Sequence, residues 1–527
     1  MTATTPEYVA SEAGFVALQA ERDVQGEHEV ARLSAEYAVL INGMRETFDS
    51  GRTKDLAWRR GQLEGLIRGI QQNHEAITAC IGAELGGTKI RGVSDIVEIV
   101  THAHDALANL VAWTSPVKKP NDFRIDVQAS FYVRPEPKGV LLCIAPWNFP
   151  FLLSLSPLVG ALAAGNCVVI KPSEFAPRCA TLLERIVKEY LDTDCIKVVQ
   201  GAVAETKALL EQRWDHIIYT GNGAIGRIVM HAAARHLTPV TLELGGKSPV
   251  IVDKTANMKT VVNRTFAGKA QNQGQVCIAP DYVIIDESRK EEFVTNFIKQ
   301  VRRSNVGEGS KDNPNWGKII NARHVERLKR LIDSSGGNVR CGGSEDADAA
   351  AQHVPLTVIT DVSLDAPIMR EEIFGPILPV IAVKNMDDGI KMVKSQEHPL
   401  ALYIFSEDKA FQERVLRECT SGGAAVNTCI EHKINKQAPF GGVGGSGMGR
   451  YQGKYGFDEF SHLRTILYKT GTQPFLPHME KTPPWLYDVI IKATVTGFVK
   501  PETKQKFKMA GLGILGLGAA LVARSRL

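Results

Sequence analysis

Between about Glu29 and Ala112 the chain carries no proline, and apolar residues recur three and four positions apart, as in "AWRRGQLEGLIRGIQQNHEAITACIGAEL". That period puts one apolar stripe on each helix and predicts a helical first segment. The pattern breaks in "SPVKKPNDFRIDVQASFYVRPEPKG", where prolines and alternating residues predict a loop and an extended hairpin. Short apolar runs then alternate with longer amphipathic ones. "GVLLCIAP", "CVVIKPS", "CIKVVQG" and "HIIYTGNG" read as buried strands; "PFLLSLSPLVGALAAGN", "RCATLLERIVKEYL", "ETKALLEQRW" and "AIGRIVMHAAARHL" read as helices. Strands and helices in this order predict a parallel sheet wrapped on both faces. A second α/β stretch runs from "SPVIVD" to "GGAAVN" with different motifs and no internal repeat. The glycine-rich "FGGVGGSGMGRYQGKYGF" leads into a last strand, "HLRTILYK", and Pro474, Pro477, Pro483 and Pro484 separate this body from the tail.

At 527 residues the chain is too long for one ordinary core, so two large domains, or one with substantial additions, are expected. Its 62 Lys+Arg against 58 Asp+Glu leave no basic excess to attract nucleic acid, which is not an expected partner. The 9 cysteines are scattered and form no C-x-x-C pair. That usage suggests neither a disulfide framework nor a metal site, and fits a reducing compartment. The first 30 or so residues hold several glutamates and lack a basic start followed by an apolar core, so they read as a loosely held extension rather than a signal.

Chemistry enters with the strand-to-helix turn "HIIYTGNGAIGRIV", a literal G-x-G-x-x-G at Gly221, Gly223 and Gly226. Such a turn lets backbone and a helix N-terminus approach a pyrophosphate. An acid further along is needed for the ribose. Glu243, in "TLELGGKSP", fits by spacing, while Lys171 and Glu174 follow another strand directly, where a sheet's carboxyl end meets nucleotides; the residues alone leave both open. Cys277, in "QNQGQVCIAPDY", reads in isolation as a small buried hydrophobe. Asn148, in "PWNFP", reads in isolation as a turn asparagine.

"IAPWNFP", "VVIKPSE", "TLELGGKSP", "NQGQVCIAPDY", "EEIFGPILPV" and "PFGGVGGSGMGRYQGKYGFDEFSH" stand in the order and at the spacing of the aldehyde dehydrogenases. From roughly Arg45 to Leu467 the chain resembles that family, and "LTPVTLELGGKSP", "APDY" and "GKYGFDEFSH" resemble its class 3 branch, which includes membrane-attached fatty aldehyde dehydrogenases. The resemblance implies an α/β fold with a Rossmann-type dinucleotide-binding domain (31–117 and 139–243), an α/β catalytic domain (244–430) and a small β bridging element (118–138 and 431–470) that pairs subunits into a homodimer. Residues 1–30 would be an extension, and 471–527 a linker and apolar anchor.

The resemblance also implies the chemistry. A carbonyl carbon releases no hydride, whereas a tetrahedral oxyanion on sulfur does, so Cys277 is the implied nucleophile. Its sulfur is expected to be left accessible by small, flexible neighbours such as Gly274, and its thiolate fraction raised by local amides. Asn148 and the Cys277 amide are the implied oxyanion donors, and Glu243 the implied base that activates water against the thioester. The adenosine ribose passes to Glu174 with Lys171 nearby, and Glu372 and Phe374 are implied to hold the nicotinamide end. Glu174 favours NAD, with NADP possible. Two departures stand out: Gly221-Asn222-Gly223 where the family carries Gly-Ser-Thr, and "CIEHKINKQAPFGG", more polar than a funnel for fatty chains. The rival readings are a coenzyme-A-acylating relative, which Glu243 disfavours, and a silent membrane scaffold, which has no use for Cys277, Asn148, Glu243 and Glu372 together.

The tail "KFKMAGLGILGLGAALVARSRL" holds an uncharged run from Met509 to Ala523 between basic residues. As a helix it spans roughly 22 Å, short of a roughly 30 Å hydrocarbon core until the flanking lysines and arginines snorkel. Membrane attachment is expected, with the catalytic body cytosolic, at the endoplasmic reticulum, outer mitochondrial membrane or lipid droplet. A medium- to long-chain fatty aldehyde is the corresponding substrate.

Overall fold

The computed structural model describes residues 6–120 and 129–469. The chain opens with helices α1 (Pro6–Asp49), α2 (Leu56–Gln72), α3 (His74–Leu85) and α4 (Ile90–Thr114), which take in the proline-free segment. Asp55 starts α2 by accepting the Ala57 amide at 3.0 Å, and Gly86 ends α3 in a conformation with φ 62°. The apolar stripes of these helices, including Leu63, Leu66, Ile70, Ile99 and Leu110, are buried. Within the stretch read as an N-terminal extension, α1 begins at Pro6.

Two sheets organise the larger unit, which comprises residues up to Thr114 and Glu136–His462. The first holds β3 (Val140–Ile144), β4 (Cys167–Lys171), β5 (Ile196–Val198), β6 (His216–Thr220), β7 (Val240–Glu243) and β15 (Gly447–Met448) in the order β15-β7-β6-β3-β4-β5. All neighbours are parallel except β15, which pairs antiparallel with β7 through Gly447↔Glu243 and Met448↔Leu242. The second holds β8 (Pro249–Val252), β9 (Tyr282–Asp286), β10 (Asn338–Cys341), β11 (Thr357–Thr360), β12 (Ile377–Val383), β13 (Ala401–Phe405) and β14 (Gly423–Val426) in the order β10-β11-β12-β9-β8-β13-β14. Only β10 runs antiparallel there. Strands such as "VLLCI" and "ALYIF" are buried at every position, as parallel strands with both faces covered must be.

The smaller unit contains a three-stranded sheet of β1 (Val117–Lys119), β2 (Ser130–Pro137) and β16 (Ser461–Tyr468), with β2 in the middle. Of the segment 431–470 assigned by resemblance to the bridging element, only β16 joins this sheet; β15 belongs to the first sheet. Among the described residues no helix is long and apolar enough to cross a membrane. The apolar run Met509–Ala523 lies outside the described residues.

Candidate active site

The carboxyl ends of the first sheet and the amino ends of the second supply the residues singled out by sequence. Asn148 lies just past β3, Lys171 closes β4 with Glu174 beyond it, Gly221 follows β6, and Glu243 closes β7. From the second sheet come Cys277, ahead of β9, and Glu372 and Phe374, ahead of β12. Asn148 sits where the strand order reverses between β3 and β6, the place where open α/β sheets leave a crevice for ligands.

The loop before Cys277 has an unusual backbone. Asn272, Gln273 and Gly274 take φ values of 49°, 53° and 71° in succession. Non-glycine residues hold such angles only where surrounding contacts fix them. Here the contacts are side-chain amides bonded to backbone: Asn272 Nδ2 donates to Asn148 O at 3.0 Å, Gln273 Nε2 to Trp316 O at 3.2 Å and Gln275 Nε2 to Lys318 O at 3.0 Å. Gln275 Oε1 in turn accepts from Ile320 N at 3.0 Å. Gly274 does not act as a flexible neighbour. A Cβ there would lie 2.3 Å from Gly375 O, so glycine is needed for close backbone approach.

Cys277 is half-buried. Burial, then the charges of Glu372 and Glu243, push its thiol up to about 12. The expected rise in thiolate fraction is therefore corrected: Lys433 and the residue's own amide act in the opposite sense and are outweighed, leaving a protonated thiol at neutral pH. Asn148 is only 3 % exposed, and its Nδ2 donates to Gln275 O at 3.0 Å. An amide nitrogen carries two hydrogens, so a second remains for an acceptor beside the thiol loop.

Glu243 is buried, and neither carboxylate oxygen has a hydrogen-bond partner. Burial, and secondarily the charge of Glu459, hold its carboxyl well above the ordinary range. A partnerless buried carboxyl is expensive, which marks it as a group kept for something other than stability. Its backbone oxygen accepts from Gly221 N at 3.0 Å, tying the glycine turn to the end of β7. In that turn Asn222 Oδ1 accepts from Ile225 N at 3.0 Å and caps the helix Gly223–Ala234. Gly226 faces inward, where a Cβ would meet Leu244 Cδ2 at 2.9 Å; this glycine serves helix-to-strand packing.

Lys171 Nζ pairs with Glu174 Oε2 at 2.8 Å, the lysine side chain 4 % and the glutamate 34 % exposed. The Glu372 carboxylate lies against Gly245, whose Cβ would come within 2.1 Å of Oε2. Burial, then the Asp281 charge, push Glu372 up to about 8. Phe374, at φ 44°, meets the Trp147 ring edge-on at 5.4 Å. Sequence reasoning missed the ties that hold this loop. Ile373 N donates to Asp281 Oδ2 at 2.9 Å, Arg327 Nη2 to Ile373 O at 2.6 Å, and Lys247 Nζ to Glu371 O at 3.0 Å and to the Asp281 carboxylate. Lys247 and Asp281 stand inside two of the quoted motifs, and a charge abutting a wholly apolar strand was the signal that could have revealed them. The polar "EHKINK" segment turns inward as well: Lys433 and Lys436 reach Glu98 of α4 at 2.6 and 3.4 Å, and Lys433 lies 5.9 Å from the Phe149 ring centre.

The donor set fits a nicotinamide dinucleotide. The Glu174 carboxylate is part-exposed and could accept from ribose hydroxyls, Gly221 and Gly223 flank the Asn222 cap without side chains of their own, and Glu372 is a further carboxyl that could accept from a ribose. Among the described residues no group of His, Cys, Asp or Glu could hold a metal ion.

Two α/β sheets, one ending in a glycine turn and the other introduced by a thiol loop, make an oxidoreductase frame. The chain belongs to the aldehyde dehydrogenase family, whose model matches residues 20–466. It is 44% identical to rat (Rattus norvegicus) aldehyde dehydrogenase family 3 member A2 over 432 residues, covering 81% of this chain and 88% of the relative. The rat dimeric, NADP-preferring aldehyde dehydrogenase is 41% identical over 433 residues, covering 82% of this chain and 94% of that one. The substrate-bound AldH of Staphylococcus aureus superposes with a TM-score of 0.82 at 37% identity, covering 87% of this chain and 99% of that structure. The protein is thus an enzyme that oxidises aldehydes with NAD or NADP.

Proposed function

We propose that the enzyme converts medium- to long-chain aldehydes to carboxylic acids through a thioester on Cys277, working as a homodimer at a membrane surface. The partnerless carboxyl of Glu243 carries the mechanistic reading, because a buried carboxyl committed to no structural hydrogen bond is suited to exchange a proton. As sulfur attacks the carbonyl, the thiol proton is released to solvent, a C–S bond forms, and the carbonyl oxygen takes the negative charge. Asn148 Nδ2–H and the Cys277 amide donate to that oxyanion; each such donor is worth roughly 2.7–4 kcal/mol. A nicotinamide held by Glu372 and Phe374 would supply the acceptor for the hydride. A thioester is left on Cys277, and Glu243 draws a proton from water as its oxygen adds to the acyl carbon. Collapse breaks the C–S bond, releases the acid and returns sulfur to its protonated state.

The dinucleotide would be held by Lys171, Glu174, Gly221, Glu372 and Phe374, with Gly226 securing the helix behind the turn. Residues 31–117 and 139–243 would form the dinucleotide-binding domain and 244–430 the catalytic domain, with the 118–138 and 431–470 segments bridging subunits. Exposed Val117, Leu463, Leu467 and Tyr468 on the three-stranded sheet support pairing. The basic-flanked apolar tail supports membrane attachment and lipid-borne substrates.

Glu243→Gln tests the core of the reading: a burst of NADH with an acyl-enzyme of the expected mass, followed by turnover slowed about a hundredfold or more. Loss of the burst along with turnover removes Glu243 from deacylation. Truncation after Lys500 is expected to yield a soluble enzyme that oxidises short aldehydes and works poorly on vesicle-embedded ones. Full-length protein that stays in the supernatant after membrane sedimentation refutes the anchor.

A further inference from the structure

The Glu243 side of β7 carries a second polar group with no role in the mechanism above. Thr241 and Glu243 are two residues apart on one strand, so their side chains stand on the same face. Thr241 is fully buried, and its hydroxyl donates to Glu459 Oε1 at 2.6 Å. Behind it, His216 Nε2 lies 2.8 Å from Thr241 Oγ1, and Lys138 Nζ lies 3.0 Å from His216 Nδ1. Burial, and then the charge of Lys138, keep His216 neutral. An ammonium has only hydrogens to give, so Nδ1 accepts, Nε2–H donates to Thr241, and Thr241 donates to Glu459. Lys138 also donates to the Glu459 backbone oxygen. The chain of donors ends on the Glu459 carboxylate.

Room for that carboxylate is built into the strand opposite. At Gly449, just beyond the β15–β7 pairs, a Cβ would sit 2.6 Å from Glu459 Oε1 and 3.1 Å from Thr241 Oγ1. The other groups facing Glu243 from neighbouring elements are Cys277 and Tyr451, both neutral at pH 7, since burial raises each of them. Glu372 and Lys433 face the thiol.

We propose that Glu459 is a positioning residue: a negative charge, fixed by the Lys138–His216–Thr241 chain, that retains the proton on Glu243 and sets the pH at which thioester hydrolysis begins. This rests on Glu243 being the deacylation base. An anion bonded to Thr241, on the same strand face as Glu243, acts on a buried acid through a low-dielectric interior, where it is felt more strongly than in water. The sign follows: a neighbouring anion disfavours ionisation of Glu243, so removing it lets Glu243 ionise at lower pH. It also leaves a weaker base once ionised.

Acylating the full-length enzyme with 4-nitrophenyl acetate, which needs no cofactor, and following loss of the acetyl group by intact mass from about pH 5 to about pH 10 isolates deacylation. Glu459→Gln is expected to move the acid limb down by about one unit and lower the alkaline plateau about threefold. Glu459→Asp, which keeps the charge, is expected to restore the limb. Thr241→Val, which keeps every charge but frees Glu459, is expected to shift it in the same direction by less, and carries the test if Glu459→Gln does not fold. An unmoved limb in the folded variants, while Glu243→Gln abolishes it, overturns the role of Glu459 alone. A limb that persists in Glu243→Gln overturns the base assignment and this inference together.

Discussion

The thiol loop and the glycine turn both border the site, yet they are built in opposite ways. From Asn272 to Gln275 each amide side chain is bonded to backbone, and the loop is locked in left-handed angles. The turn at Gly221–Gly223 has the Asn222 cap, one backbone bond from Gly221 to Glu243 and side-chain contacts from Tyr219 and Arg227, keeps ordinary backbone angles and is half open to solvent. The difference separates two demands: bond-making requires a nucleophile placed to within a fraction of an ångström, whereas a cofactor must enter and leave. Rigidity is spent where atoms react.

The comparison breaks most severely at the sulfur. Cys277→Ala is expected to lower turnover by about three orders of magnitude or more while cofactor still binds, as intrinsic-fluorescence titration would show. Because burial holds the wild-type thiol near about 12, alkylation of the free enzyme by iodoacetamide is expected to quicken about tenfold per pH unit, with no plateau below about pH 10. A plateau near pH 7 would mean the thiol is already ionised. Next comes Asn148→Ala, expected to reduce kcat about a hundredfold to a thousandfold with little change in KM. Gln275→Ala removes bonds to Asn272 O, Lys318 O and Ile320 N and touches no reacting atom. If tethering is what places the sulfur, kcat/KM falls about a hundredfold; thermal melting would report the accompanying loss of stability. Smallest is Glu174→Gln on the open side: because Lys171 already pairs with this carboxylate, the NAD/NADP ratio of kcat/KM is expected to narrow only about threefold to tenfold.

What the sequence conveyed follows the same division. Apolar runs such as "VLLCI" and the helix-period stretches announced the alternating strands and helices and a helical first segment, because burial on two faces leaves no other pattern. β15 was invisible: Gly447 and Met448 carry no alternation, and only their partner strand makes them a strand. At the site, Cys277, Asn148 and Glu243 stood out through family resemblance, since each alone reads as an ordinary core or turn residue. The thiol's titration was misjudged because its causes, burial and the charges of Glu372 and Glu243, arrive from distant segments. Gly274 was misread for a similar reason, since its neighbour is Gly375. Lys247, Asp281 and Glu459 hold their places through partners that local patterning does not reveal.

The hydrogen bond from Asn148 to Gln275 joins residues 127 apart in sequence, and that from Thr241 to Glu459 joins residues 218 apart. Contacts at such separation must close long chain loops, and they form after the strands and helices that bring them near. A refolding chain therefore recovers its ellipticity while still unable to acylate. Thr241 waits for its acceptor until the "FDEFSH" segment has been made and docked, so the pH setting of deacylation is completed only when the chain has closed that long loop.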